Sequence, residues 1–179
     1  TDECIRRGTT VERLAGLAPV REDCPDITPG NSSPISDGAA AIMVASREKA
    51  EQLGLKPRAR FKHFVVAATE PIVMLKGPIP ATKKLIDRTG IKLSDIDLFE
   101  CNEAMGSIVP MWEKEFGVPH DVVNVNGSGI SLGHPVGASG ARIMTTLLHE
   151  LERSGARTGF HTMCEGGGQA NAIVIERLD

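Results

Sequence analysis

The sequence predicts an α/β fold, a mixed sheet of about five strands with helices packed on it, and three observations carry that prediction. From Asp37 onward, segments with apolar residues at period two alternate with segments at period 3.6. The 179 residues are 41% apolar and 24% charged, and a chain of this mass can bury about two-thirds of its surface in one core. No repeat, linker or low-complexity tract divides the periodic region.

Each element has its own warrant. Thr1 to Asn31 carries the turn formers Gly8, Gly16, Pro19, Pro25, Pro29 and Gly30 and little periodicity. Residues 1–33 therefore read as an irregular arm at the end of a preceding domain, and 34–179 as one structural domain. Gly38 to Ser46 is a short apolar strand, and Arg47 to Leu53 a short polar helix ended by Gly54. Arg58 to Thr69 reads as a long strand whose Arg58, Arg60 and Lys62 form a solvated edge. Pro80 suits a first helical turn, and Leu85 and Ile86 form the apolar side of a helix that stops at Gly90. Ser94 to Glu100 is a strand, Ala104 to Phe116 a helix with Ile108, Met111 and Trp112 inward, and Val122 to Val125 a further strand. Gly137 to Leu151 is the most strongly patterned helix, apolar at Ile143, Met144, Leu147, Leu148 and Leu151. Gly159 to Cys164 and Asn171 to Arg177 are the last strands.

Composition excludes several functions. A formal charge of −3, 3% aromatics and no Tyr argue against nucleic acid, and no apolar run reaches the ~18 residues of a membrane helix. Cys4, Cys24, Cys101 and Cys164 are widely separated with no CxxC pair, which fits neither a zinc ribbon nor a disulfide scaffold and suits the reducing cytoplasm.

Chemistry concentrates where strands give way to loops. In Glu100-Cys-Asn102-Glu-Ala104-Met105, Asn102 either caps the following helix or uses its amide to hold a water or a substrate carbonyl. Asn124 to Gly140 packs five glycines around His134-Pro135, so the imidazole is either structural or an acid/base group projecting from a closely approachable backbone. In Thr162-Met-Cys164-Glu165-Gly166-Gly-Gly-Gln169, the thiol is either inert in a tight turn or set beside amides that stabilise a thiolate or an oxyanion. His134 and Cys164 have no further ligands at metal-site spacing. His63, His120, His149 and His161 read as surface or packing residues.

Asn102-Glu-Ala, Asn124-Val-Asn-Gly followed by Gly133-His134-Pro, and Cys164-x-Gly166-Gly resemble, in this order, the C-terminal half of a thiolase. Asp37-Gly-Ala-Ala-Ala41 and Gly77-Pro-Ile-Pro-Ala81 extend the resemblance over nearly the whole chain, making 34–179 a thiolase C-terminal domain. The resemblance implies transfer of acyl groups to and from CoA by reversible Claisen condensation or thiolysis of a 3-ketoacyl-CoA. In this scheme His134 activates a nucleophilic cysteine and donates to one oxyanion, and Asn102 holds a water that is the second donor. Cys164 moves the α-proton of acetyl-CoA, and the Gly166 amide serves the other oxyanion. Ala104, Met105 and Met74 line the acyl and pantetheine pocket. No cofactor is implied beyond the CoA thioester substrates, and the family suggests a homo-oligomer.

Met105 stands where family members commonly have Phe, and Glu165 where an apolar residue is frequent, its carboxylate expected to turn outward. The nucleophilic cysteine belongs to the family's preceding half, on the same polypeptide or a separate subunit, so the chain alone is expected to be inactive and to expose an apolar face. Two other readings compete: a condensing enzyme of the ketoacyl-synthase type, and a non-catalytic acyl-CoA or partner-binding module on the same scaffold.

Overall fold

A computed structural model describes residues 5–178, so Cys4 lies outside the described residues. The helices are α1 (Val11–Ala15), α2 (Arg47–Gln52), α3 (Pro78–Thr89), α4 (Ile108–Phe116), α5 (Gly129–Leu132) and α6 (Ser139–Ser154). The strands are β1 (Ala59–Ala68), β2 (Leu98–Cys101), β3 (Thr158–Cys164) and β4 (Gln169–Arg177), in the order β1-β4-β3-β2. β2 and β3 run parallel, while β4 is antiparallel to both β3 and β1.

β4 is an inner strand and apolar on both faces, as its sequence requires. Ala170, Ala172 and Val174 join the larger core with Leu85 of α3 and Ile108 and Trp112 of α4. Ile173 and Ile175 face the other way, toward Met144, Leu147 and Leu151 of α6. Phe99, Trp112 and Phe160 meet with ring centroids 5.6–5.7 Å apart, and the Trp112 indole N–H donates to Thr82 Oγ1 at 2.9 Å. In α4, Val109 is buried with Ile108 and Trp112, whereas Met111 is only half-buried. Arg58 and Arg60 pair with Glu152 and Glu176, as the solvated-edge reading of their face requires.

Among the described residues the sheet has four strands, and two expected strands are absent from it. Gly38 to Ser46 forms no ladder and leaves Ile42, Met43 and Val44 exposed. An apolar run without alternation needs cover on both faces, and no described element supplies it. Val122 to Val125 shrinks to one bridge, Val123 to Phe99. At the next residue the backbone turns away, with Asn124 at φ 50°, and its side chain takes over the pairing. Asn124 Oδ1 accepts from the Cys101 N–H and its Nδ2 donates to the Cys101 carbonyl, both at 2.8 Å.

The helix expected from Ala104 begins at Ile108 because residues 31–33 occupy the intervening backbone. The Gly106 N–H donates to the Asn31 carbonyl at 2.7 Å, and the Ala104 carbonyl accepts from the Ser33 N–H and hydroxyl at 3.2 and 2.9 Å. The sheet face under α6 is only partly covered. Phe61 and Phe64 lie opposite Ile175 and Ile173 on that face, and together with Val66 they stay exposed. Among the described residues no helix is long and apolar enough to cross a membrane.

Candidate active site

The C-terminal ends of β2 and β3 organise the site. Asn102 follows β2 directly, and its N–H donates to the Thr162 carbonyl of β3 at 3.1 Å, so the ladder extends one residue and buries the side chain completely. Asn102 is no helix cap, since Ser107 holds that position for α4. Instead its Nδ2 lies 3.3 Å from His134 Nε2. Its Oδ1 is buried without a hydrogen bond, against Gly129, where a Cβ would stand 3.1 Å from that oxygen and 2.8 Å from the Glu103 carbonyl.

His134 is half-buried in the loop between α5 and α6, its N–H directed at the Pro34 carbonyl. Its Nδ1 lies 2.6 Å from Ser139 Oγ, and that hydroxyl donates to the Pro135 carbonyl at 3.1 Å. A hydroxyl has one hydrogen, so both bonds form only if Nδ1 carries the ring proton. Nε2 is then the basic nitrogen, and it faces the Asn102 amide. Burial, aided by the charge of Arg142, holds the imidazole pKa below its ordinary value. A neutral ring with a bare Nε2 is the form of a general base.

Cys164 ends β3, half-buried against the larger core. Burial raises its thiol pKa, a backbone hydrogen bond opposes the shift, and Glu165 adds to it. Glu165 is held by Asn171 Nδ2, which donates to its Oε1 at 2.9 Å. Asn171 points to the α6 face of β4, so the carboxylate sits across the sheet from the thiol. Gly166 is exposed at the start of a 3-10 turn, Gly166–Gly168. Gly168, at φ 85°, is so close to the chain before the Pro71–Lys76 turn that a Cβ would lie 2.4 Å from the Thr69 carbonyl oxygen. That close approach packs the Pro71–Lys76 turn, which carries Met74, against the Gly166–Gly168 turn that follows Cys164. Ala104 and Met105 follow Asn102 and pack against the larger core, with Met105 bridged to Ser32.

Asn102 and His134 thus touch, and Asn102 links them to the strand that ends in Cys164. Sequence reasoning missed Ser139, whose signal was a hydroxyl one turn beyond His134, and Ser33, from the arm. It also missed a buried group beneath the site. Glu100, nearly inaccessible on β2, has its pKa raised to about 8 by burial, with Arg142 opposing the shift. Its ladder neighbour His161 is buried as expected of a packing residue, and burial lowers its pKa to about 4.

Comparison with known proteins bears on this geometry. The model of the thiolase C-terminal domain matches residues 55–177, and that of the thiolase N-terminal domain matches 1–48. A steroid 3-ketoacyl-CoA thiolase of Mycobacterium tuberculosis is 49% identical over 96% of this chain and 42% of its own length. An acetyl-CoA acetyltransferase of Chromobacterium violaceum is 46% identical over 98% of this chain and 45% of its own. The crystal structure of the Bacillus anthracis acetyl-CoA acetyltransferase superposes with a TM-score of 0.93 at 44% identity, covering 99% of this chain and 45% of that one. Human mitochondrial 3-ketoacyl-CoA thiolase, solved in complex with CoA, gives 0.93 at 38%, with the same coverage. The chain spans about half the length of the curated relatives it matches. By the matched domains and these identities, the chain belongs to the thiolase family.

Proposed function

We propose that this chain is the C-terminal catalytic part of a thiolase that transfers acyl groups between CoA and 3-ketoacyl-CoA, with its nucleophilic cysteine supplied by an N-terminal half. The observation that carries the proposal is the Ser139–His134–Asn102 relay, which fixes the imidazole tautomer and leaves Nε2 free to take a proton. His134 removes the proton of the nucleophilic thiol, and the thiolate attacks the keto carbon of the substrate. The C2–C3 bond breaks, and the Cys164 thiol delivers its proton to the enolate of acetyl-CoA. The resulting Cys164 thiolate takes the proton of an incoming CoA, whose sulfur removes the acyl group. The raised thiol pKa suits Cys164 to the acid role at neutral pH. Protonated at Nε2, His134 donates to the first oxyanion together with a water on Asn102, and the Gly166 amide serves the enolate oxygen. General acid/base help of this kind is worth about 10² to 10⁴ in rate, and one oxyanion donor about 3 kcal/mol.

Ala104, Met105 and Met74 form the acyl and pantetheine wall, and no cofactor enters the scheme. The chain's accessible surface of 10949 Å² supports a missing half, because a self-contained globule of this mass exposes roughly 8,400 Å². In this reading the N-terminal half covers Phe61, Phe64 and Val66 and supplies sheet partners for Gly38 to Ser46. The complete protein assembles as a homo-oligomer, and the free thiols Cys24, Cys101 and Cys164 fit the cytoplasm.

The test is acetoacetyl-CoA thiolysis by the 179-residue chain alone and after addition of the N-terminal half of the Mycobacterium tuberculosis relative. Activity is expected only in the mixture and is lost with His134→Ala. Robust activity of the chain alone contradicts the proposal.

A further inference from the structure

We infer that Asn124 is a positioning residue for the Asn102–His134 pair, acting as a side-chain clamp on the peptide that carries Asn102. The inference rests on the thiolase reading for its catalytic meaning and on geometry alone for the clamp.

Asn102 is useful only if its amide stays in register with the imidazole, and the residues around it give little help. β2 has a paired neighbour on one side, β3, while on its other side the ladder stops at the single Val123–Phe99 bridge. Beyond that bridge the Cys101 N–H and C=O meet no strand on that side among the described residues. The Asn124 amide meets both of them at 2.8 Å, reproducing with one side chain the donor and acceptor that a strand residue would present. The main chain at Asn124 is fixed in turn. Its N–H donates to the Phe99 carbonyl at 2.9 Å, and its carbonyl accepts from the Gly127 N–H at 2.7 Å. Its left-handed φ of 50° aims the side chain back along β2.

The clamp also reaches the partner loop. Asn124 Nδ2 lies 3.4 Å from Glu103 Oε1, and the other oxygen of that carboxylate accepts from the Ile130 N–H of α5 at 3.3 Å. α5 leads directly into Gly133-His134. One amide therefore ties the peptide before Asn102 to the segment before His134, so the 3.3 Å contact between them is held from both ends. Alanine removes both bonds to Cys101. Aspartate keeps the acceptor, removes the donor and sets a second carboxylate against Glu103.

The readout comes from NMR of the 179-residue chain through the titration of His134. Protonation of Nε2 ends its acceptance of the Asn102 hydrogen bond, so in the unchanged chain the Asn102 side-chain amide resonances move with the imidazole. In Asn124→Ala and Asn124→Asp that coupling is expected to disappear while the resonances of Trp112 and Ile143 keep their positions. In the mixture with the N-terminal half, kcat is expected to fall about 10²-fold with KM within about twofold, as for a small misplacement of a reacting group. If the unchanged mixture shows no thiolysis, the functional proposal fails and the NMR coupling still decides the clamp. Persistence of the coupling in both variants overturns the inference. So does its loss only in step with the core resonances, which would make Asn124 a stability residue.

Discussion

Replacing Glu100 with glutamine tests the electrostatics beneath the site without any assay of turnover. The carboxyl sits among apolar and polar neighbours with Oε2 unbonded, and burial moves its pKa from 4.5 to about 8. Below pH 4.5 the folded and unfolded chains both hold the Glu100 proton, and this group adds no pH dependence. Between 4.5 and 8 the folded chain keeps a proton that the unfolded chain releases, so stability falls as pH rises, and the loss is complete above 8. At 1.36 kcal/mol per unit, the loss at pH 7 is on the order of 3 kcal/mol. Glutamine is isosteric and uncharged at every pH, so it removes this slope. The charged neighbours Arg142, Glu103 and Glu150 are unchanged by the substitution. His161 acts in a separate window. Its lowered pKa of about 4 costs stability as pH falls below 6.5, identically in both chains. The urea midpoint of the variant minus that of the native chain should be smallest at pH 5 and widen steadily through pH 6, 7 and 8, because the His161 contribution cancels in that difference. Parallel curves from pH 6 to 8 would show that Glu100 is ionised in the fold and would refute the reasoning.

Three further outcomes follow from named contacts. Ser139→Ala removes the acceptor of the His134 Nδ1 proton, so the ring should populate both tautomers, seen in imidazole ¹⁵N shifts, and kcat of the reconstituted enzyme should fall about tenfold or more; an unchanged tautomer would contradict the assignment. Gly168→Ala drives a Cβ into the Thr69 carbonyl at a left-handed φ and should destabilise the chain by about 1–3 kcal/mol or more in thermal melts, with a neutral result counting against the close approach. Iodoacetamide at pH 7 should label exposed Cys24 faster than Cys164, whose rate should climb with pH as its buried thiol ionises; selective labelling of Cys164, read by mass spectrometry, would sink that expectation.

What could be read in advance was whatever depends on local pattern. The Asn171–Arg177 run is apolar on both faces and lies in β4, one of the two inner strands, and the stripe through Ile143, Leu147 and Leu151 marks the buried side of α6. The density of glycine around His134 and after Cys164 marked the loops that carry the candidate site residues. The failures share a different cause, a partner distant in sequence. Val122 to Val125 has the composition of a strand, but a side chain at Asn124 replaces its backbone in the ladder. Ala104 has the propensity to begin a helix, but Ser33 already binds its carbonyl. Gly38 to Ser46 has the apolar run of a buried strand, but among the described residues no strand pairs with it. Ser139 was visible as a small residue in a helix entry, while its bond to His134 depended on how the Pro135 turn folds back.

The grip of residues 31–34 on the site loops has a practical consequence for anyone dissecting this protein. Asn31, Ser33 and Pro34 fall within the stretch matched by the N-terminal domain model, yet they bind Gly106, Ala104 and His134 in the stretch matched by the C-terminal one. The seam between the two domains in the sequence is therefore not a seam in the machinery. A truncation beginning at residue 55 would keep every candidate catalytic side chain and still lose the backbone fastening of the loops that present them.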